Sequence, residues 1–203
     1  EIRKKIEDSG KSTKIIAISK NHEKAKVEEA ISYDVQDFGE NRVQEAKLKF
    51  QNINKGDKNI RLHLTGPLQT NKVKNALEVF DIFHTLDREK LLKELSKFPE
   101  QANEKQFFIQ VNTGKEISKS GVYPEDLKKF IERCDIYGIK NILGLMCIPP
   151  INENPIKHFN LLRDLSLDFG LGGLSIGMSS DYELAIDFNP TYIRLGTILF
   201  GNR

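Results

Sequence analysis

The sequence predicts an α/β fold, a single closed barrel of eight parallel strands in which each strand but the last is followed by a helix. Three observations carry that prediction. Short β-branched runs recur about eight times along the 203 residues, each apolar on both faces, and longer charged segments with helical apolar spacing separate them. A strand buried on both faces belongs to a parallel sheet covered by helices on each side. Eight such units in one chain favour closure into a TIM-type (β/α)8 barrel; an open doubly wound sheet is the alternative.

The elements follow in order. Ile2–Asp8 reads as a segment that either caps the barrel floor or joins the helical ring. Lys14–Ser19 is the first strand, and Glu23–Ser32 is the first helix after it, with Ala25, Val27, Ala30 and Ile31 on its apolar side. Val35–Phe38 is the second strand, followed by a helix from Asn41 to Phe50. Ile60–Leu64 leads through Thr65-Gly66-Pro67 into a helix over Lys72–Val79. Asp81–Thr85 comes next, and Asp87 is placed to cap a helix over Arg88–Phe98. Phe107–Val111 is the fifth strand, and Pro124 stands where a first-turn proline opens a helix to Cys134. Ile142–Met146 precedes a helix over Ile156–Phe169 that Asn154-Pro155 introduces. Leu174–Ile176, a short helix from Asp181 and Tyr192–Leu195 complete the pattern. No linker or low-complexity tract interrupts it, so residues 1–203 read as one domain.

Composition narrows the function. Thirty-one Lys and Arg against 29 Asp and Glu leave a net charge of +2, which gives no electrostatic case for nucleic acid or an anionic membrane. The longest apolar stretches, such as Ile15–Ile18, are far shorter than the roughly 20 residues of a membrane span. No basic-then-apolar leader opens the chain, and Glu1 suggests a trimmed start. Cys134 and Cys147 form no Cys-x-x-Cys pair and read as reduced cysteines of a cytoplasmic protein. The four histidines lack zinc-ligand spacing, so no metal is expected.

Function in such a barrel sits on the loops after the carboxyl ends of the strands. Lys20 directly follows the first apolar run. At the mouth, partial burial would lower its pKa and favour the neutral amine that Schiff-base chemistry needs; the alternative is a solvated surface charge. Gly39, Glu40, Asn41 and Arg42 follow the second run, and Glu40 and Arg42 are placed to pair with each other or with neighbours at the mouth. Six of the 14 glycines lie between Gly170 and Gly201. There Gly177-Met178-Ser179-Ser180 and Gly196-Thr197 make a phosphate-cup candidate, or else two tight turns with a serine cap. Arg194, between Ile193 and Leu195, needs either a structural ion pair or a ligand. His63, inside a strand, reads as a satisfied core histidine rather than a general base.

Together these segments resemble one family. Ala17-Ile18-Ser19-Lys20, Phe38-Gly39-Glu40-Asn41-Arg42-Val43-Gln44-Glu45 and the run from His63 to Lys72 are similar to the pyridoxal phosphate homeostasis proteins. So are Val111-Asn112-Thr113-Gly114, Gly144-Leu145-Met146, the run from Leu174 to Glu183, and the run from Arg194 to Gly201. The match covers nearly the whole chain, in order. It implies a barrel of the alanine racemase N-terminal-domain type without the racemase's second, β-rich domain, and pyridoxal phosphate as cofactor. By the family pattern Lys20 forms the Schiff base, Arg194 faces the pyridine nitrogen, Ser179, Ser180, Gly196 and Thr197 hold the phosphate, and Asn41 lies beside the cofactor. Ile176, Leu199 and the loop Cys147-Ile148-Pro149-Pro150 depart from that pattern, and the loop from Pro150 to Pro155 is short; none touches the expected site.

The resemblance implies a monomeric cytoplasmic carrier that buffers the cofactor in vitamin B6 homeostasis without catalytic residues or turnover, with apo-enzymes as recipients and no nucleic-acid or membrane partner. Two alternatives stay open: a small pyridoxal-phosphate-dependent amino-acid racemase, and a barrel enzyme whose Lys20 binds the carbonyl of another phosphorylated substrate.

Overall fold

Strands that are apolar on both faces need neighbours on each edge and a helical cover outside. In the computed structural model, which describes residues 1–51, 53 and 59–201, a closed barrel meets that need. The strands follow one another round the ring in chain order: β1 (Lys14–Ile18), β2 (Asp37–Glu40), β3 (Arg61–Leu64), β4 (Ile82–Leu86), β5 (Gln106–Gln110), β6 (Ile142–Met146), β7 (Gly173–Ser175) and β8 (Tyr192–Leu195). Every pairing is parallel, and β8 closes on β1 with Lys14 opposite Tyr192 and Ala17 opposite Leu195. The closed barrel, not the open sheet, is the fold.

The helices are α1 (Ile2–Asp8), α2 (Lys24–Ser32), α3 (Val43–Phe50), α4 (Val73–Val79), α5 (Glu89–Leu95), α6 (Pro99–Asn103), α7 (Leu127–Ile136), α8 (Pro155–Asp168), α9 (Tyr182–Ile186) and α10 (Thr197–Phe200). Of the two places open to the first segment, α1 takes the ring: Lys5 pairs with Glu183 of α9, and Arg3 donates to the carbonyls of Tyr33 and Asp34 at the end of α2. Among the described residues no helix is long and apolar enough to cross a membrane.

Three expectations need correction. The second strand starts at Asp37, not Val35, because the Val35 N–H still bonds the Ala30 carbonyl at 3.1 Å while Asp34, at φ 61°, winds the chain out of α2. Gly39 and Glu40 consequently lie inside β2 rather than in the loop after it. The helix from Arg88 ends at Leu95 rather than Phe98, and a short helix that the sequence did not announce, α6, opens at Pro99; Phe98, ahead of the proline, has φ −129° and ψ 60°. Asp87 caps nothing: α5 begins at Glu89 with no side-chain cap, and the Asp87 carboxylate accepts from Arg88 instead.

Inside the ring Ile16, Ile82, Phe108, Met146 and Tyr192 pack together, and the larger cluster fills the space between barrel wall and helices. Cys134 and Cys147 are buried free thiols, each pushed up to about 12 by burial.

Candidate functional site

Strand alternation selects which side chains reach the mouth. Ile16 and Ile18 belong to the interior cluster, and Lys20, two residues on, keeps their phase and stands half-buried at the rim. Its backbone is fixed from outside the barrel. The Lys49 ammonium of α3 donates to the Ser19 carbonyl and to Glu40 Oε1, both at 2.7 Å, and the Ser19 hydroxyl donates to the same carboxylate oxygen at 2.7 Å. Glu40 is fully buried, and burial raises its carboxyl above the ordinary range against the pull of Lys49 and Ser19. Its partner is therefore Lys49 rather than Arg42.

Asn41 leaves the end of β2 beside the turn at Gly66. Thr65 Oγ1 donates to Asn41 Oδ1 at 3.0 Å, and a Cβ built on Gly66 would lie 2.7 Å from Asn41 Cβ. Only glycine lets the two loops approach so closely.

After β7 the chain turns at Gly177, where φ is 85° and an added Cβ would lie 2.7 Å from Ala185 Cβ. The Gly177 carbonyl accepts from the Arg194 N–H at 2.8 Å, and the Met178 N–H donates to Asp181 Oδ1 at 2.5 Å. These bonds hold Ser179 and Ser180 at the rim. After β8, Gly196 and Thr197 open α10, whose first-turn N–H groups have no helical carbonyl behind them.

Arg194 is almost fully buried. Its Nη1 donates to the carbonyl and to the hydroxyl of Ser175 at 2.7 and 2.8 Å, and Nη2 donates to the Cys147 carbonyl at 2.9 Å. Among the described residues it makes no ion pair; burial lowers its pKa from the ordinary arginine value, yet a guanidinium stays charged in proteins.

Lys20, Asn41, Ser179, Ser180, Arg194, Gly196 and Thr197 all line one cavity of about 340 Å³ at the mouth. Ile18, His22, Thr65, Ile148 and Met178 complete its wall. Met178 belongs to the expected phosphate cup, and Ile148 corrects the expectation that the loop from Cys147 to Pro150 stays clear of the site, since that loop also supplies the Cys147 carbonyl to Arg194. Thr65 opens a turn already singled out, whereas His22, whose ring packs 5.0 Å from that of Phe200, carries no local signal. A larger groove of about 890 Å³ runs along α1, and its lining includes exposed side chains of both signs, such as Arg3, Lys5 and Glu7. The mouth cavity is the better candidate, since buried and half-buried polar groups converge there. Among the described residues no group of three or more His, Cys, Asp or Glu is placed to hold a metal ion.

The profile of the alanine racemase N-terminal domain family matches residues 1–203. A pyridoxal phosphate homeostasis protein of Aquifex aeolicus is 38% identical over 216 residues, covering 100% of this chain and 93% of its own length. The chain belongs to the pyridoxal phosphate homeostasis protein family. Another member, from Pseudomonas aeruginosa, is 40% identical over 195 residues, which cover 93% of this chain and 84% of that one. Among solved structures, PipY of Synechococcus elongatus with PLP bound superposes with a TM-score of 0.78 at 32% identity, covering 94% of this chain and 93% of PipY. An alanine racemase of Clostridium difficile shares the fold alone, at 15% identity and a TM-score of 0.73 over 53% of its length.

Proposed function

We propose that this chain, residues 1–203 as one barrel unit, binds pyridoxal phosphate in the mouth cavity and buffers or carries it in vitamin B6 homeostasis. The observation that carries the reading is the convergence of a lysine, an arginine and a hydroxyl-rich double loop, from three separate strand ends, on one cavity of about 340 Å³. That volume suits a small ligand. The donor set suits this one: an amine for the aldehyde, backbone N–H and hydroxyl groups for the phosphate, and a cation at the floor.

In this reading Lys20 holds the cofactor as a Schiff base, Ser179, Ser180, Gly196 and Thr197 grip the phosphate, Asn41 flanks the ring, and Arg194 donates to the pyridine nitrogen. Pyridoxal phosphate supplies an electron sink to enzymes that keep its ring nitrogen protonated, usually with a carboxylate. Arg194 can only donate a hydrogen bond, so it leaves that nitrogen unprotonated and the sink weak. A weak sink favours the carrier over carbanion chemistry but does not by itself forbid turnover. The family's printed names and the PLP-bound PipY structure support the choice of ligand. We further propose a monomer of the cytoplasm that passes the cofactor to apo-enzymes; two buried, reduced thiols suit that compartment.

Borohydride reduction of the purified protein followed by peptide mass analysis tests the reading. The expected result is a pyridoxal phosphate adduct on Lys20 that Lys20→Ala abolishes, with no racemase or transaminase turnover on common amino acids. An adduct on another lysine overturns the site. Robust turnover that disappears in Lys20→Ala makes the protein an enzyme, with the racemase alternative first.

A further inference from the structure

Behind Arg194 a single file of polar side chains crosses the barrel interior from floor to mouth. Asp37 Oδ1 lies 2.8 Å from His63 Nε2, His63 Nδ1 lies 2.9 Å from His84 Nε2, and His84 Nδ1 lies 2.9 Å from Ser175 Oγ. The Ser175 hydroxyl oxygen in turn accepts from Arg194 Nη1 at 2.8 Å. His63, His84 and Ser175 have 0% exposure. Phe108 stacks on the His84 ring at 4.7 Å, and Tyr192 stands edge-on to both imidazoles at 5.0 and 5.8 Å. At the floor Arg61 Nη2 donates to Asp37 Oδ2 at 2.8 Å.

The chemistry of the groups fixes the direction of the file. Burial works to raise the Asp37 carboxyl, but hydrogen bonds from His63 and Arg61 outweigh it and hold the group below the usual carboxylate range, so Asp37 only accepts. Burial pushes His63 down against the pull of Asp37, and it pushes His84 well down, with His63 and Arg194 adding to the effect. Both rings are neutral, and a neutral imidazole has one donor and one acceptor. His63 Nε2–H must therefore donate to Asp37, which leaves Nδ1 to accept from His84 Nε2–H. His84 Nδ1 then accepts the Ser175 hydroxyl proton, and the serine oxygen is left to accept from Arg194. With Asp37 ionised and both rings neutral, no other arrangement makes all four links.

We propose that Asp37, His63, His84 and Ser175 are positioning residues for Arg194, forming a one-way hydrogen-bond file that fixes its guanidinium and leaves two N–H groups for a ligand at the mouth. The count follows from five donors, of which the Ser175 carbonyl, the Ser175 hydroxyl and the Cys147 carbonyl take three. Each link polarises the next, so the Ser175 oxygen is a better acceptor because its own proton is committed to His84. Asp37 and Arg61 also line the groove along α1. The file therefore joins that groove to the mouth, and a change at the floor reaches the ligand without touching it. The existence of the file stands apart from the proposed function; only the identity of the ligand rests on that reading.

Two measurements test it. Nitrogen-15 NMR of the cofactor-free protein at pH 7 reports the tautomers directly. Neutral Nε2–H rings at both His63 and His84 are expected, and an imidazolium or an Nδ1–H ring at either position overturns the file. Asp37→Asn and Ser175→Ala, loaded with pyridoxal phosphate, should each shift the absorption band of the bound cofactor and weaken binding about tenfold, about 1.4 kcal/mol. Unchanged spectra and affinities in both variants, with the unaltered protein binding normally, overturn the file and leave the proposed function standing. Failure of the unaltered protein to bind pyridoxal phosphate overturns the function, and the tautomers still decide the file. Should a variant fail to fold, the NMR measurement on the unaltered chain decides.

Discussion

Acidification from pH 7 to pH 5.5 should destabilise the protein, and the two imidazoles inside the barrel set the size of the effect. His63 and His84 are fully buried, and burial holds both below the ordinary histidine range, His84 well below it. The unfolded chain takes up a proton on each near pH 6.5, whereas the native barrel resists. Below that pH the unfolded state binds more protons, so stability falls as the pH falls, until the native rings protonate as well. Worked from that linkage, His84 alone costs on the order of 1 kcal/mol between pH 7 and 5.5, and the pair at most about twice that. Glu40 and Asp87, raised by burial, oppose this only as the pH nears the carboxylate range, which sets the lower limit of the window. For a chain of this length the loss lowers Tm by several degrees. Calorimetry at pH 7.0, 6.0 and 5.5 measures it, and His84→Phe, which keeps a ring against Phe108, should lose its share of the slope. A Tm that does not move across this window refutes the assignment of two neutral buried rings.

Two further outcomes concern the mouth and the core. Ser180→Ala and Thr197→Val should each weaken pyridoxal phosphate binding, by roughly 10- to 150-fold if a charge-assisted hydrogen bond of about 1.5–3 kcal/mol is lost. Titration by fluorescence checks this, and unchanged affinity in both variants removes the cup from the site. Neither Cys134 nor Cys147 should react with a disulfide-exchange reagent at pH 8 in the native protein, because burial pushes both thiols up to about 12. Rapid release of one equivalent of thiolate chromophore contradicts the buried placement.

Much of the barrel is legible in the sequence because its strands announce themselves as continuous apolar runs and its loops begin where those runs stop. Lys20 is visible for that reason, directly after Ile15–Ile18, and Arg194 is visible as a charge enclosed by Ile193 and Leu195. What local pattern cannot show is pairing across the ring. Nothing near His63 indicates that its partners are His84 and Asp37, 21 and 26 residues away, because register alone brings them together. The exchange of Arg42 for Lys49 as the partner of Glu40 has the same origin: placing Glu40 inside β2 turns its side chain toward α3 instead of the mouth. The stop before Pro99 is legible, since proline constrains the residue ahead of it; the one-turn helix that Pro99 opens is too short to show an apolar period of its own.

The pairing of β8 with β1 gives the protein a built-in order of manufacture. Lys20 leaves the ribosome well before Arg194, Gly196 and Thr197, yet all four line the same cavity. Until Tyr192–Leu195 docks against Lys14–Ala17, the amine has neither Arg194 nor the Gly196-Thr197 loop beside it. A ligand gripped from both sides of that seam can be taken up only by a chain that has closed its ring. In the proposed reading, half-made or proteolytically shortened copies therefore lack the full grip on the cofactor.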